Sequence, residues 1–150
     1  MAKKSCRYCG IVPFNHVCPV VTKEKNARDA KREDKSIYWC SKWRKLRADV
    51  LDYQDHVCLW SLYVEGIVRE ARTCHHIVTL MDDDTKAYDI DNVIGMEKHT
   101  HDRVHELYKI NKKATMKLLR ECMKLWDDGI KTEGLGILRD KLKNIDTPPL

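Results

Sequence analysis

Two groups of residues in this 150-residue chain have the types and spacing for metal chemistry. The first runs through HHIVTLMDDDTKAYDIDNVIGMEKHTHDRVH, with His75 and His76 side by side, Asn92 sixteen residues after the second His, then His101 and His105. His101 and His105 are four apart, so on a helix both imidazoles leave one side, one turn apart, as two ligands of one metal would. His75 and His76 fall at the end of a segment that reads as a strand, where adjacent side chains face opposite ways. One of the pair can then bind the metal while the other faces a substrate. A single His on a helix, or an Asn before a turn, is commonplace; the ordered combination is far more specific. The second group is Cys6-x2-Cys9 followed by His16-x-Cys18, four good zinc ligands within thirteen residues. A tetrahedral site needs such ligands on two short turns, and Gly10 lets the chain turn after the first pair. A segment this short cannot build an apolar core, so a structural zinc is the expected source of its order.

The elements that must position these residues can be read from apolar spacing. Trp39, Trp43, Leu46, Val50 and Tyr53 predict a helix from about Ile37 to Tyr53, with Arg44, Lys45 and Arg47 on its polar side. Residues 57–68 (VCLWSLYVEGIV) are rich in β-formers around a Glu65-Gly66 turn, which predicts a short hairpin. His76 to Leu80 reads as a strand, Met81 to Asp91 as a polar loop, and 101–110 as a helix. Residues 112–127 read as an amphipathic helix with Met116, Leu119, Met123 and Trp126 on one face. Gly129, Gly134 and Gly136 then punctuate the chain before a short helix at Leu135–Leu142, and the tail DTPPL should fray. Residues 22–36 are charged without apolar period, a linker or an exposed helix. The expected organisation is a Cys-Cys-His-Cys zinc-binding head at 1–20, a basic linker or exposed helix at 21–36, a core at 37–110 and a C-terminal helical extension at 111–150.

Hydrophobic residues make up 43% and charged residues 34%, a globular rather than disordered balance. Phe occurs once, and four Trp and six Tyr supply the aromatic bulk. No apolar run approaches the roughly 18 residues of a membrane helix, and the start, MAKKSCRYCG, lacks the apolar segment of a secretory signal. The expected location is the cytoplasm, with no membrane partner. Seven cysteines, an odd number, then point to metal binding or burial rather than disulfides. The net charge of +5 is uneven: residues 1–50 hold 13 Lys and Arg against 5 Asp and Glu, a balance of +8. A basic half suits a polyanion, because neutralising phosphates releases condensed counterions.

The stretch from about Trp39 to Tyr108 resembles the HNH nuclease family, whose active site is two strands and a helix clasping one metal. WRKLRADVLDYQDHVC, Trp43 to Cys58, looks like the family's leading helix running into its first strand. HHIV looks like its Asp-His or His-His strand, and DNVIGMEKHTHDRVH like its Asn-plus-helix element. The His-His start and His-x3-His end are most similar to the colicin-type DNases. A small Cys-rich head is also similar to HNH proteins that bacteriophages encode beside their packaging genes. The resemblance implies an α+β fold, a mostly helical chain around a ββα-metal HNH core with the small N-terminal zinc-binding head. It implies His75, His101 and His105 as metal ligands, His76 as general base, and Asn92 as the residue hydrogen-bonding His76 or its backbone to hold the base in place.

A DNA endonuclease would follow, nicking or cutting double-stranded DNA, with a phage terminase as the expected partner. Arg44, Lys45, Arg47, Arg72 and the linker lysines would hold the DNA backbone, although Arg72 can equally form a surface salt bridge. The all-imidazole shell suits zinc, nickel or manganese better than magnesium, which prefers oxygen. Many family members carry a further zinc held by two Cys-x2-Cys pairs. Here the four positions are Cys58, Ser61, Glu97 and Thr100, so this zinc is expected to be absent and Cys58 to be a buried hydrophobe. A second function stands beside the enzyme: a non-catalytic, zinc-containing nucleic-acid-binding adaptor that uses the head and the basic linker.

Overall fold

A Cys-rich hairpin begins the chain in the computed structural model, which describes residues 2–30 and 34–146. Residues 31–33 of the expected linker and residues 147–150 of the expected frayed tail lie outside the described residues. The chain divides into two compact units, Met1–Trp39 and Cys40–Leu150.

In the first unit, β1 (Lys3–Cys6) pairs antiparallel with β2 (Gly10–Pro13), Cys6 opposite Gly10. The turn closes at Gly10, whose φ of +75° is open to glycine at no steric cost. Helix α1 (Pro19–Ala30) follows at once, its first position filled by a proline preset for helical φ, and α2 (Asp34–Trp39) ends the unit. Most of the stretch expected as linker or exposed helix is therefore helical.

The second unit opens with α3 (Ser41–Tyr53), which buries Trp43, Leu46, Val50 and Leu51. The single helix expected from Ile37 to Tyr53 is thus two helices, broken at Cys40. Cys40 is extended (φ −82°, ψ 157°) and its Sγ accepts the Trp43 N–H at 3.4 Å, a capping role usually taken by Ser, Thr, Asp or Asn. No strand follows α3, contrary to the family-based expectation for Trp43–Cys58: Asp55 and His56 turn the chain with positive φ, and Val57 makes only an isolated bridge to Glu70. Nor is 57–68 a hairpin. Ser61–Glu65 form a π-helical turn ended by Gly66 at φ 74°. Residues 58–64 are buried on every side, so no polar face exists to reveal a helical period, and β-rich composition misleads. The carbonyls of Leu62 and Tyr63, left over at the turn's end, accept the N–H groups of Gly136 and Leu138 at 2.8 Å each.

Strands β3 (Thr73–His76) and β4 (Val93–Met96) pair antiparallel, His75 opposite Ile94 and His76 opposite Val93. The strand expected over His76–Leu80 thus ends where it was to begin, because the Asn92 side chain, not a strand partner, binds the backbone of Val78. Helix α4 (Lys98–Asp127) completes a ββα unit. It starts at Glu97, whose carboxylate accepts the Thr100 N–H at 3.0 Å. It breaks at Asn111 (φ −151°, ψ 83°), which re-caps the second half by accepting the Ala114 N–H. The two expected helices, 101–110 and 112–127, meet at that break. The last helix, α5 (Arg139–Asp146), lies later than expected from Leu135–Leu142. The backbone of 136–138 is committed to the π turn, and Gly134 sits so close to the Tyr63 ring that a Cβ there would stand 3.0 Å from it.

The main core lies between the sheet, the π turn and α4, with Trp60, Tyr63, Ile77, Ile94, Met96, Leu107 and Leu119 fully buried. On the other side of the sheet, Trp43, Leu46 and Val50 of α3 pack on Val93. The chain is α+β and mostly helical.

Candidate metal centre

Alternation along β3 sends His75 and His76 to opposite faces of the sheet, and each meets a different helix. His75 turns toward α4. Its ring lies 5.3 Å from that of His101 and 4.9 Å from that of His105, edge-on to both. One ligand nitrogen from each of the three lies within 4.8 Å of the others. His101 and His105 face each other Nε2 to Nε2 at 3.2 Å. With metal–nitrogen bonds of about 2.0–2.1 Å, neighbouring ligands on one ion stand about 3.0–3.4 Å apart, and this pair falls in that range.

The fit to a cation rests on a buried nitrogen. His75 is 3% exposed, and its Nε2 has no hydrogen-bond partner among the described residues. An imidazole nitrogen so placed loses its hydration for nothing unless something binds it. Burial drives the His75 imidazole down to about 3, and the fields of His101, His105 and His76 add to that. Burial likewise lowers His101, with His105 adding and Asp102 opposing. The lowered pKa keeps His75 and His101 neutral, each with a lone pair that a divalent cation can take up. Tyr108 backs the cluster: its ring stands edge-on to His75 at 5.2 Å and its hydroxyl donates to the Ile77 carbonyl at 2.6 Å. The sequence reading missed Tyr108, although it lies three residues after His105 on the same helical face.

His76 faces α3. Its Nε2–H donates to the Ala87 carbonyl at 2.9 Å, so the neutral ring carries its lone pair on Nδ1. The ring stacks on Trp43 at 4.7 Å and 22°. Burial lowers its pKa, while the bond to Ala87 works the other way. Apolar spacing marks Trp43 only as part of a helix, and nothing in the sequence marks Ala87. No spacing rule links either to His76, because both contacts are made by folding.

Asn92 is buried at 1% exposure. Its side chain accepts the Val78 N–H at 2.8 Å and donates to the carbonyls of Val78 at 3.0 Å and Lys86 at 3.4 Å. It thereby staples the chain just after the His pair to the residue before Ala87, the loop segment that holds His76. Arg44, Lys45 and Arg47 are exposed on α3. Lys45 pairs with Asp49 at 2.8 Å, and Arg47 donates to the Arg72 carbonyl. The Arg72 guanidinium forms a surface ion pair with Glu70 at 2.7 Å.

The four positions of the further zinc are brought together in the core. Ser61 Oγ lies 3.2 Å from Cys58 Sγ and 3.2 Å from Thr100 Oγ1, and Glu97 accepts the Thr100 N–H. Hydrogen bonds join these side chains, and Cys58 is fully buried.

The head gathers Cys6, Cys9, His16 and Cys18, with ligand atoms within 4.8 Å of one another. Cys9 and Cys18 sulfurs stand 3.6 Å apart, and the cysteines are free thiols. Backbone N–H groups of Tyr8 and then Cys9 draw the Cys6 thiol down, which favours a thiolate there. His16 Nε2 is a second buried ring nitrogen without a hydrogen-bond partner among the described residues. Three thiols and an imidazole are a donor set for tetrahedral zinc.

No helix among the described residues is long and apolar enough to cross a membrane. No family model matches the chain, and no curated protein does. Among solved structures, the chain is similar to an HNH endonuclease of the deep-sea thermophilic bacteriophage GVE2, crystallised with a manganese ion. Identity is 25%, the match covers 62% of this chain and 96% of that one, and the TM-score is 0.48.

Proposed function

We propose that this chain is a metal-dependent endonuclease of the HNH type that hydrolyses DNA phosphodiester bonds. The observation that supports it most is the opposition across β3, where one His joins a three-imidazole cluster and its neighbour is held separately in a single tautomer. His75, His101 and His105 would hold the divalent cation. Once bound, that cation offsets the negative charge of the scissile phosphate and stabilises the departing 3′ oxygen. His76, neutral with its Nδ1 lone pair, takes the proton from the attacking water. The Ala87 carbonyl fixes its tautomer and Trp43 its ring plane, so no reorientation is needed at the moment of reaction. Asn92 acts one step further out, by holding the loop that carries Ala87.

Three imidazoles without a carboxylate favour zinc, nickel or manganese over magnesium, and the head holds a structural zinc. The catalytic core is 37–110, with the head at 1–20, the basic segment at 21–36 and the helical extension at 111–150. Arg44, Arg47 and Arg72 contact phosphates of double-stranded DNA in the host cytoplasm, and terminase-linked packaging is the setting the Cys-rich head suggests. The adaptor reading draws on the head and the basic segment and leaves the orphaned His75 nitrogen without a use.

The test is metal-by-metal cleavage of supercoiled plasmid. The wild type should convert it to nicked or linear forms with manganese, nickel or zinc, and EDTA should stop the reaction. His76→Ala should still bind metal and DNA but not cut. A wild type inert with every divalent metal overturns the enzyme reading in favour of the adaptor.

A further inference from the structure

The four ligands of the head explain its order but not its surface. Ile11 is 79% exposed, Val17 74%, Phe14 69% and Tyr8 46%. Residues 1–20 hold Lys3, Lys4 and Arg7 and no Asp or Glu. The two aromatic rings sit beside the cations: Lys4 Nζ is 5.7 Å from the Phe14 ring centre, and Arg7 Cζ is 5.7 Å from that of Tyr8. The strand register sets part of this arrangement. Lys4 pairs with Val12, and the ladder continues from the Phe14 N–H to the Ala2 carbonyl at 3.0 Å, so Lys4, Val12 and Phe14 share one face. The Tyr8 hydroxyl donates to Glu24 at 3.0 Å, which anchors that ring's rim and occupies a nearby carboxylate.

Flat exposed rings flanked by cations suit a ligand with π faces strung on an anionic backbone. Each unpaired base offers a face for stacking, and each phosphate a charge. A duplex hides its base faces, and an apolar protein partner gains nothing from the lysine and arginine. We propose that Tyr8, Phe14, Lys4 and Arg7 form a binding site for single-stranded DNA. The choice of DNA rests on the proposed nuclease function; the surface itself belongs to the head and includes none of the histidine ligands. Such a site would keep a frayed or nicked strand attached to the enzyme, raising its effective concentration.

The experiment uses the zinc-loaded full chain carrying His76→Ala, so that the probe survives. It is titrated into a fluorescein-labelled oligothymidylate of about 20 nucleotides, longer than one such site covers. Tyr8→Ala with Phe14→Ala should weaken binding about 10-fold or more while the zinc stoichiometry holds. Phe14→Trp should bind as tightly as the parent, with its fluorescence quenched by the bases. Lys4→Gln with Arg7→Gln should flatten the slope of log affinity against log salt by about 1.4. If the alanine pair loses zinc, Phe14→Leu decides, since it keeps apolar bulk but cannot stack and should still bind weakly. Undiminished affinity of the ring variants with zinc in place overturns the proposal, and so does a parent protein that ignores the single strand. The nuclease reading fails separately: a wild type that cannot cut plasmid, while its ring variants lose the oligonucleotide, sinks the enzyme and leaves this site standing.

Discussion

The two His-containing clusters share a signature and differ in what surrounds them. Each holds one buried imidazole nitrogen without a hydrogen-bond partner among the described residues, His16 in the head and His75 in the ββα unit. In the head, four soft donors close around a point with almost no buried apolar surface: Cys18 is the one buried hydrophobic residue among residues 2–28. In the ββα unit, three imidazoles gather at the rim of a core built from Trp60, Tyr63, Ile94, Met96 and Leu107. A closed set of four ligands completes a tetrahedron and supplies order, whereas a set of three leaves a coordination position for chemistry. The metal should therefore carry the fold in the first region and leave the fold largely alone in the second.

The largest effect should come from breaking the head. Structural zinc in small zinc domains is worth about 10–16 kcal/mol of apparent binding free energy. Cys18→Ser should remove one zinc per chain and abolish amide protection across 2–18, while protection of β3, β4 and α4 is unchanged. Hydrogen exchange read by mass spectrometry, with elemental analysis, checks both halves. Protection lost together in both regions would erase the contrast. Next in size is His76→Ala, which should lower cleavage by about 10²–10⁴-fold, the range of general-base catalysis. Metal content at His75, His101 and His105 should not change. Trp43→Ala follows, at about 3–5 kcal/mol of stability for an emptied aromatic site, whereas Trp43→Phe should keep a stacked ring and most of the cleavage rate. Chemical denaturation and plasmid cleavage, measured on both variants, separate the packing of Trp43 from its hold on His76.

The same contrast explains what could be read in advance. Ligands tied by local spacing were legible: Cys-x2-Cys and His-x-Cys on short turns, and His101 with His105 one helical turn apart. The break between the two halves of α4 was legible too, because amphipathic period is local, whereas the ββα order was implied by the family resemblance and not by spacing: no pattern marked β4 as a strand. What escaped was set by tertiary contact. The π turn at Ser61–Glu65 has no exposed face, so its period was silent. Cys40 caps α3 although cysteine is not among the usual caps. Trp43 and Ala87 meet His76 from residues 33 and 11 positions away, and Asn92 reaches the Val78 backbone from 14 positions away. Buried Gln54 is a further case. Its amide pairs with both the N–H and the C=O of Gly95, serving β4 as a missing neighbour strand would, and nothing in its sequence context marks it.

The finest test of the contrast lies behind the histidine centre. If that centre is set by its protein scaffold rather than by the ion, removing a supporting contact should disturb it slightly even when every ligand remains. Asn92→Ala removes three backbone contacts and should cost about 1–3 kcal/mol, with a larger loss of cleavage than of metal affinity. Tyr108→Phe is gentler, because the ring edge stays against His75 and only the bond to the Ile77 carbonyl is lost. A neutral hydrogen bond of this kind contributes about 0.5–1.5 kcal/mol, so the melting temperature should fall by a few degrees. Loss of an outer contact to a metal-binding His typically weakens metal affinity by about 10-fold or more when the contact is direct. Tyr108 supports His75 only through its ring and the Ile77 backbone, so the phenylalanine variant should lose less than that. A calorimetric titration with manganese measures it. A full 10-fold loss would mean that the ion and Tyr108 together shape the centre, and the division between a metal-made head and a scaffold-made histidine centre would be less sharp than the buried core beneath it implies.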